Sequence, residues 1–183
     1  MTTKAKILAL TILLAPAGIA FGETASIQVR ASYFHPSDGV FKEVYGGGTS
    51  YGAVLTVRLW KGFSLWAEGD FFQKKGRTTF TREQTEFRLI PLAGGLRYDF
   101  FPSRTSPYLA AGVGYFLSHE KNDMGSVDRK DIGYVVQAGL RLYAGKTVIF
   151  DVQGSYSTCK VSSSGVSADL GGIRGGLSLG FAF

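Results

Sequence analysis

The feature that most constrains this chain of 183 residues is an alternation of apolar with small or polar residues, repeated in eight segments. A period of two is the period of a β-strand, whose successive side chains point to opposite faces. The last segment shows the pattern most simply, because glycine, serine and alanine separate Leu177, Leu179, Phe181 and Phe183. One face of this strand is therefore apolar to its tip, and something must cover it.

Seven earlier segments share this alternation, at residues 26–34, 51–60, 63–71, 85–98, 108–117, 132–142 and 148–156. The chain also contains 14 Phe, 9 Tyr, 2 Trp and 25 Gly, a composition that favours strands and turns over helices. The fourth segment is the least regular, because Pro91 lies inside it and proline cannot donate a hydrogen bond to a sheet. We interpret Ile90, Leu92, Leu96 and Tyr98 as one of its faces, with the register around Pro91 left open.

The first 22 residues have the pattern of a secretory signal peptide. Lys4 and Lys6 precede an apolar run at residues 7–15, and Ala20 and Gly22 provide a small-residue cleavage site, with cleavage after Ala20 as an alternative. We therefore predict a signal peptide at 1–22 and one domain at 23–183. Removal of the two lysines lowers the formal net charge from +6 to +4.

This composition gives little sign of a bound cofactor or nucleic acid. The charge is mild, and no basic helix accompanies it, so nucleic-acid binding is not predicted. Cys159 is the only cysteine, which excludes an intrachain disulfide. No cluster of His, Cys or carboxylate residues has metal-ligand spacing, and we predict neither a metal nor a cofactor.

The distribution of charge distinguishes a soluble sandwich or cup from a membrane barrel. In the eight segments the charged residues share their face with glycine, alanine and serine, whereas the opposite face is a nearly uninterrupted series of bulky apolar residues. Small and charged residues suit a narrow polar lumen, and the apolar face suits lipid. Segments of about 9–11 residues are long enough to cross a bilayer as tilted strands. We predict an all-β fold, an eight-stranded antiparallel up-and-down transmembrane β-barrel.

The connections support this interpretation, because long and short ones alternate. Four are long and polar, among them "SHEKNDMGSVDRKD", and three are shorter, among them Lys61-Gly62. Outer-membrane barrels have short periplasmic turns and long external loops. Eight strands then place both termini in the periplasm.

Two stretches resemble the small eight-stranded outer-membrane barrels of the OmpA-like and OmpX-like type: the alternating ending through Phe183, and "SPYLAAGVGYF" at 106–116. The resemblance implies that Leu177, Leu179, Phe181 and Phe183 form the signal read by the barrel-assembly machinery. It also implies a monomer in the outer membrane of a Gram-negative cell. It is specific for architecture and not for function, since such barrels serve as anchors, adhesins, channels and enzymes.

Charged residues on the polar face form the candidate interior network. A barrel of eight strands is only wide enough for side chains to fill it, so buried charges there must pair. The alternatives are a plug of salt bridges and a gate or narrow ion path. The predicted network consists of Arg30, Arg58, Glu68, Asp70, Arg141, Asp151 and Arg174, with Arg97 and Glu86 left open because of the register around Pro91.

Lipid A deacylases are barrels of this size, so catalysis is a further alternative. His35 and Ser37 follow the first segment, and Ser118, His119 and Glu120 follow the fifth. These residue types can support nucleophilic catalysis. However, a turn signal follows His35, the loop around His119 is strongly charged, and "HPS" lies far from where a deacylase motif would stand. No catalytic residue is predicted, and the protein is not predicted to be an enzyme.

A basic patch near the outer end of the third and fourth segments is the candidate lipid contact. It comprises Lys74, Lys75, Arg77 and Arg82, which would meet the phosphates of lipopolysaccharide at that height, unless they form a merely solvated loop. The function predicted from these features is that of a non-enzymatic outer-membrane protein, with external loops for surface interaction, adhesion or envelope stability. The alternatives are a narrow, porin-like channel for small solutes and a lipid A-modifying enzyme.

Overall fold

The computed structural model describes residues 25–77, 84–101, 103–122, 125–163 and 166–183. The predicted signal peptide at 1–22 lies outside these ranges, as does Arg82 of the predicted basic patch. The described chain contains ten strands and one helix. They are β1 (Ala25–Pro36), α1 (Gly39–Tyr45), β2 (Gly48–Trp60), β3 (Phe63–Arg77), β4 (Gln84–Asp99), β5 (Thr105–Asn122), β6 (Gly125–Ala144), β7 (Val148–Thr158), β8 (Lys160–Ser163), β9 (Val166–Asp169) and β10 (Gly172–Ala182).

Eight of the strands form a closed antiparallel barrel in the order β1-β10-β7-β6-β5-β4-β3-β2. Sequential neighbours pair throughout, and the last strand closes the barrel against the first, from Ser26↔Ala182 to Pro36↔Gly172. Two further backbone hydrogen bonds join Ala25 to Phe183 at this seam. The fold prediction is confirmed. We call the end that holds Ala25 and Phe183 the terminal end, and the opposite end the loop end.

Alternation sets the two faces of the wall as the sequence predicts. On β1, for example, Gln28 and Arg30 are buried in the lumen while Ile27 and Val29 are exposed on the outside. The core of the barrel is consequently polar at mid-height, and the bulky aliphatic residues lie outside. This arrangement, with polar residues inside and apolar residues outside, is the reverse of that in a soluble β-protein. It requires an apolar medium around the barrel.

The irregularity around Pro91 in β4 is local. The β3–β4 pairing runs through Gly69↔Leu92 and resumes at Phe72↔Leu89, so the ladder is interrupted opposite the proline. Pro91 itself is buried on the lumen face. Because two-residue alternation continues through the gap, Leu92, Leu96 and Tyr98 all point outward, as interpreted from the sequence. Ile90 shares their face but is half-buried.

The strands are longer than the predicted 9–11 residues, reaching 18 residues in β5 and 20 in β6. Most of the stretch "SHEKNDMGSVDRKD", predicted as a long loop, is in fact the extension of these two strands into a hairpin, paired up to Asn122↔Gly125. The prediction was wrong because it measured strands by apolar alternation. Backbone pairing continues beyond the apolar band, where both faces can carry polar side chains.

Two other predicted loops also contain regular structure. Between β1 and β2 lies α1, whose N-cap Asp38 accepts a hydrogen bond from the backbone N–H of Phe41 at 2.9 Å. Gly46 ends the helix with a φ of 63°, a conformation that glycine adopts without strain. Between β7 and β10, strands β8 and β9 form a separate two-stranded hairpin.

Within the described part of the chain, no helix has the length and apolar character needed to cross a membrane.

Candidate functional site

The middle of the lumen is filled by a first ion cluster of Arg30, Glu68, Asp70 and Arg174. Arg30 donates to Glu68 at 2.8 Å and binds Asp70 through two nitrogens, and Arg174 donates to the same Asp70 at 2.9 Å. Gln137 adds a hydrogen bond to Glu68 at 2.7 Å. The cluster contains two cations and two anions, so its formal charge is zero.

A glycine makes this cluster possible. Arg30 on β1 and Asp70 on β3 are separated by β2, and both lie level with Gly52 of that intervening strand. A Cβ atom at Gly52 would stand 2.1 Å from Asp70 Oδ1 and 2.5 Å from the backbone oxygen of Gly69. The absence of a side chain at this position therefore lets the two ionic residues meet over the strand between them.

A second ion cluster lies nearer the terminal end and consists of Arg97, Asp99, Arg141 and Asp151. Arg97 binds Asp99 at 2.7 Å, and Arg97 and Arg141 each lie 3.6 Å from Asp151. Tyr108 stacks against Arg97, with the guanidinium carbon 3.3 Å from the ring centroid, and its hydroxyl donates to Asp151 at 2.9 Å. This cluster is also balanced, two charges against two.

A glycine has the same role in the second ion cluster. Tyr108 on β5 reaches Asp151 and Gln153 on β7 over Gly139 of β6, which is paired with both Tyr108 and Gln153. A Cβ at Gly139 would lie 2.6 Å from the Tyr108 ring.

Six of the seven residues predicted for the interior network belong to these clusters, and the seventh, Arg58, does not. Arg58 is half-buried at the terminal end and has no ion pair among the described residues. The structure places Arg97, which the sequence left open, in the second cluster and adds Asp99. Their place in the two-residue alternation identifies them, because both lie on the face of β4 opposite Leu96 and Tyr98. Glu86 lies on the outer face, where Gln73 and Arg88 contact it.

Toward the loop end, the side chains that fill the lumen are aromatic rather than ionic. Phe34 and Phe72 pack edge to face at 5.2 Å between centroids, and Arg174 lies 5.2 Å from the Phe34 ring. Phe87 and Phe116 are further buried members of this aromatic layer, and Leu89 belongs to the same apolar cluster.

Helix α1 closes the aromatic layer from outside. Phe41 and Tyr45 pack on Phe87, at 4.7 and 5.1 Å between centroids. The Tyr45 hydroxyl donates to Glu120 at 2.8 Å, and burial raises the pKa of this hydroxyl well above its ordinary value. The helix is thus held by both apolar packing and a hydrogen bond to β5.

The connection between β7 and β10 is tied to the same helix. The Asp169 carboxylate accepts hydrogen bonds from the backbone N–H groups of Cys159 and Gly171, at 2.7 and 2.8 Å. The backbone N–H of Asp169 in turn donates to Asp38, the N-cap of α1, at 3.3 Å. Cys159 is buried beneath this junction, and desolvation, reinforced by Asp131 and Asp169, raises the pKa of its thiol to about 12.

Between the terminal turns and the level of Lys75, Arg88 and Lys130, the described outward positions of the eight barrel strands carry no charged residue. Val29 and Leu177 are 67% and 63% exposed, and Ile132 is 74% exposed. The proposed assembly residues Leu177, Leu179, Phe181 and Phe183 are all part of this surface. An exposed apolar area that encircles a whole protein far exceeds what a soluble monomer presents.

The barrel is similar to several solved structures of small outer-membrane barrels. Neisserial surface protein A matches 88% of this chain and 98% of its own, at 18% identity and a TM-score of 0.63. Ail of Yersinia pestis matches 89% of this chain and all of its own, at 14% identity and a TM-score of 0.58. The N-terminal β-barrel domain of Pseudomonas aeruginosa OprF matches 88% of this chain and all of its own, at 15% identity and a TM-score of 0.53. The chain has the fold of the small outer-membrane barrels. No family model matches the sequence, and no curated protein matches it.

In this outer-membrane barrel fold, the predicted basic patch does not form one surface. Lys75 is exposed on the outer face, whereas Lys74 is half-buried on the lumen face, where its chain lies beside Gly48. The side chain of Arg77 and the whole of Arg82 lie outside the described parts of the structure. The patch prediction treated consecutive residues as neighbours, but in a strand they point to opposite faces.

The outer-membrane barrel fold assembles a different set of outward cations, which we call the cationic belt. Register places Lys75 beside Glu86 and Glu86 beside Lys121, while Arg88 is level with His119 one step closer to the apolar surface. Arg88 lies 5.7 Å from the ring of Phe71, which belongs to that surface. The belt thus follows the upper margin of the apolar band on β3 to β6, and it consists of Lys75, Arg88, Lys121 and Lys130.

The residue types considered for catalysis are not brought together. Ser118 is buried on the lumen face, whereas His119 points outward and contacts Asp128 at 2.6 Å. His35 is exposed on the outer face of β1. No group of three His, Cys, Asp or Glu side chains suited to a metal ion occurs in the described ranges.

Proposed function

We propose that the mature chain is a non-enzymatic integral protein of a Gram-negative outer membrane, whose barrel is a sealed anchor and whose loop-end surface contacts the cell envelope and its surroundings. The observation that supports this proposal most strongly is the closed lumen. The side chains of Arg30 and Asp70 are 0% exposed, Glu68 is 2% exposed and Arg174 is 5% exposed, so no water-filled path passes them.

The aromatic layer supports the same proposal, since it closes the lumen a second time. A conduit for small solutes would need both the ion clusters and the packing of α1 on Phe87 to open. Breaking a buried ion pair costs about 3–5 kcal/mol. A barrel closed at two levels is better suited to holding its loops in place than to conducting.

The cationic belt supports a specific partner, the phosphate groups of lipopolysaccharide. Basic side chains beside an apolar band lie at the height of lipid headgroups, where each is worth about 1 kcal/mol toward an anionic surface. A protein of the same fold, Ail, has been crystallised in complex with the heparin analogue sucrose octasulfate. Barrels of this size can therefore bind a polyanion.

Two experiments test the proposal. In planar bilayers we expect no stable conductance from the refolded protein. Ion-selective conductance that changes in Arg58→Ala would instead support the channel. For the partner, we expect Arg88→Gln combined with Lys130→Gln to weaken binding to phosphorylated lipopolysaccharide by about 30-fold, from about 1 kcal/mol per basic residue.

The matched control is Lys61→Gln, which removes a cation from the opposite end of the barrel. It should leave the affinity unchanged. Equal loss in this control, or equal binding of the wild-type protein to dephosphorylated lipopolysaccharide, would show that the belt is not the contact.

A further inference from the structure

The terminal end of the barrel contains a cavity of about 290 Å³ that neither the belt nor the sealed lumen explains. Its walls come from the first lumen-facing residues of the strands and from the turns after β4 and β6. Among its lining residues are four cations and several hydroxyl groups, including Arg58, Arg104, Arg141, Lys146, Ser26 and Ser106. This volume is near the lower limit of small-molecule sites.

The charge of the cavity is unbalanced, in contrast to the two ion clusters. No carboxylate is among its described lining residues. Of the four cations, only Arg141 has an ion pair within the described ranges, and it shares that partner, Asp151, with Arg97. Like charges gathered in a partly enclosed space repel each other, and a bound anion would relieve that repulsion.

The cavity also contains buried donors without partners. The hydroxyls of Ser26 and Ser106 have no hydrogen-bond partner among the described residues, although these two serines are only 4% and 3% exposed. A guanidinium can only donate, and serine can donate or accept. Unsatisfied groups of this kind are costly to bury, and together they present a set of donors directed at an acceptor-rich ligand.

The inner limit of the cavity is the second ion cluster, to which Arg141 belongs. Asp99, Asp151 and Tyr108 are all buried there. The cavity is therefore a blind pocket that opens among the turns of the terminal end. Because the side chains that line it on the strands point into the lumen, the barrel wall separates it from the apolar outer surface.

We propose that this pocket is a binding site for a small soluble anion that carries phosphate. Phosphate oxygens accept several charge-assisted hydrogen bonds at once, and arginine provides the planar donors that match them. Arg58 and Arg104 bind the anion from the entrance, while Arg141, Ser26 and Ser106 donate from the inner wall. The site is independent of the cationic belt at the other end.

The test is calorimetric titration of the refolded barrel with pyrophosphate in uncharged detergent, at constant ionic strength maintained with chloride. We expect saturable binding at one site per barrel. Arg58→Gln and Arg104→Gln should each weaken it about tenfold or more, since each removes charge-assisted hydrogen bonds. Neither residue belongs to an ion pair among the described residues, so both variants should fold, which their gel mobility before and after heating verifies.

Lys61→Gln is again the matched control, because Lys61 lies at the terminal end but does not line the cavity. It should bind pyrophosphate as the wild type does. Absence of saturable binding, or equal weakening in Lys61→Gln, would overturn the proposal. So would binding only to vesicles of phosphatidylglycerol and not to pyrophosphate, because the ligand would then be a lipid headgroup.

Discussion

Gly52→Ala is the substitution that most directly tests how the lumen is built. The added Cβ would lie 2.1 Å from Asp70 Oδ1 and 2.5 Å from the backbone oxygen of Gly69. The carboxylate can rotate away, but only by leaving Arg30 and Arg174, and the backbone oxygen can move only with its strand. One methyl group therefore combines overpacking with the loss of buried ion pairs.

The magnitude follows from these two costs. Overpacking alone costs about 1–3 kcal/mol, and disruption of a buried ion pair costs about 3–5 kcal/mol. Since the two costs have the same cause, they do not add in full. We expect Gly52→Ala to lower the free energy of unfolding by about 3–5 kcal/mol.

The assay is equilibrium urea unfolding in lipid vesicles, followed by tryptophan fluorescence and gel mobility. The control is Gly154→Ala, because Gly154 lies on the outer face of β7 and a Cβ there would meet nothing within 4 Å. Gly154→Ala should be neutral or slightly stabilising, by up to about 1 kcal/mol through the unfolded chain.

A double-mutant cycle identifies the cause. If the methyl group acts by displacing the carboxylate, its cost should fall by about 1–3 kcal/mol in an Asp70→Ala background. Equal stability of Gly52→Ala and Gly154→Ala would refute the reasoning. An undiminished cost in the double variant would show that the clash with Gly69, rather than with Asp70, is responsible.

Four further expectations follow from the outer surface and the loop end. The mature protein should fractionate with outer membranes and migrate faster on gels before boiling than after it, and recovery as a soluble periplasmic protein would contradict the apolar surface. Leu179→Arg should lower the free energy of unfolding by about 2–4 kcal/mol and impair folding in vesicles and in cells alike. Deletion of Phe183 should reduce assembly in cells while refolding in detergent stays near normal. Normal assembly in cells would show that Phe183 is not part of an assembly signal. The thiol of Cys159, with its pKa raised from 9.0 to about 12, should resist maleimide at pH 8 until urea unfolds the chain. The contribution of the buried neutral thiol to the free energy of unfolding should be lost as pH rises from about 9 through 12. Rapid labelling of the folded protein would contradict its burial.

How far the sequence predicts the interior is shown by Arg30 and Arg58. Both lie on the lumen face, and alternation assigns that face from sequence alone. Arg30 meets Glu68 and Asp70, whereas Arg58 lies toward the terminal end and lines the cavity. The two residues lie at different heights along the barrel axis. That height depends on strand register and tilt, whereas alternation decides only which face a residue lies on.

Alternation, together with the confinement of charge to one face, determined the architecture, because a period of two divides each strand into a polar and an apolar face whatever its partners. It also determined which residues can enter the lumen, including the small ones. Only the tertiary structure decided that Gly52 lies between Arg30 and Asp70 and lets them meet, and that Asp99 completes the second cluster. Contacts between strands depend on how the closed barrel staggers one strand against the next, and that stagger is set by all eight strands together. The same holds for α1, whose packing on Phe87 requires a lumen that is already closed.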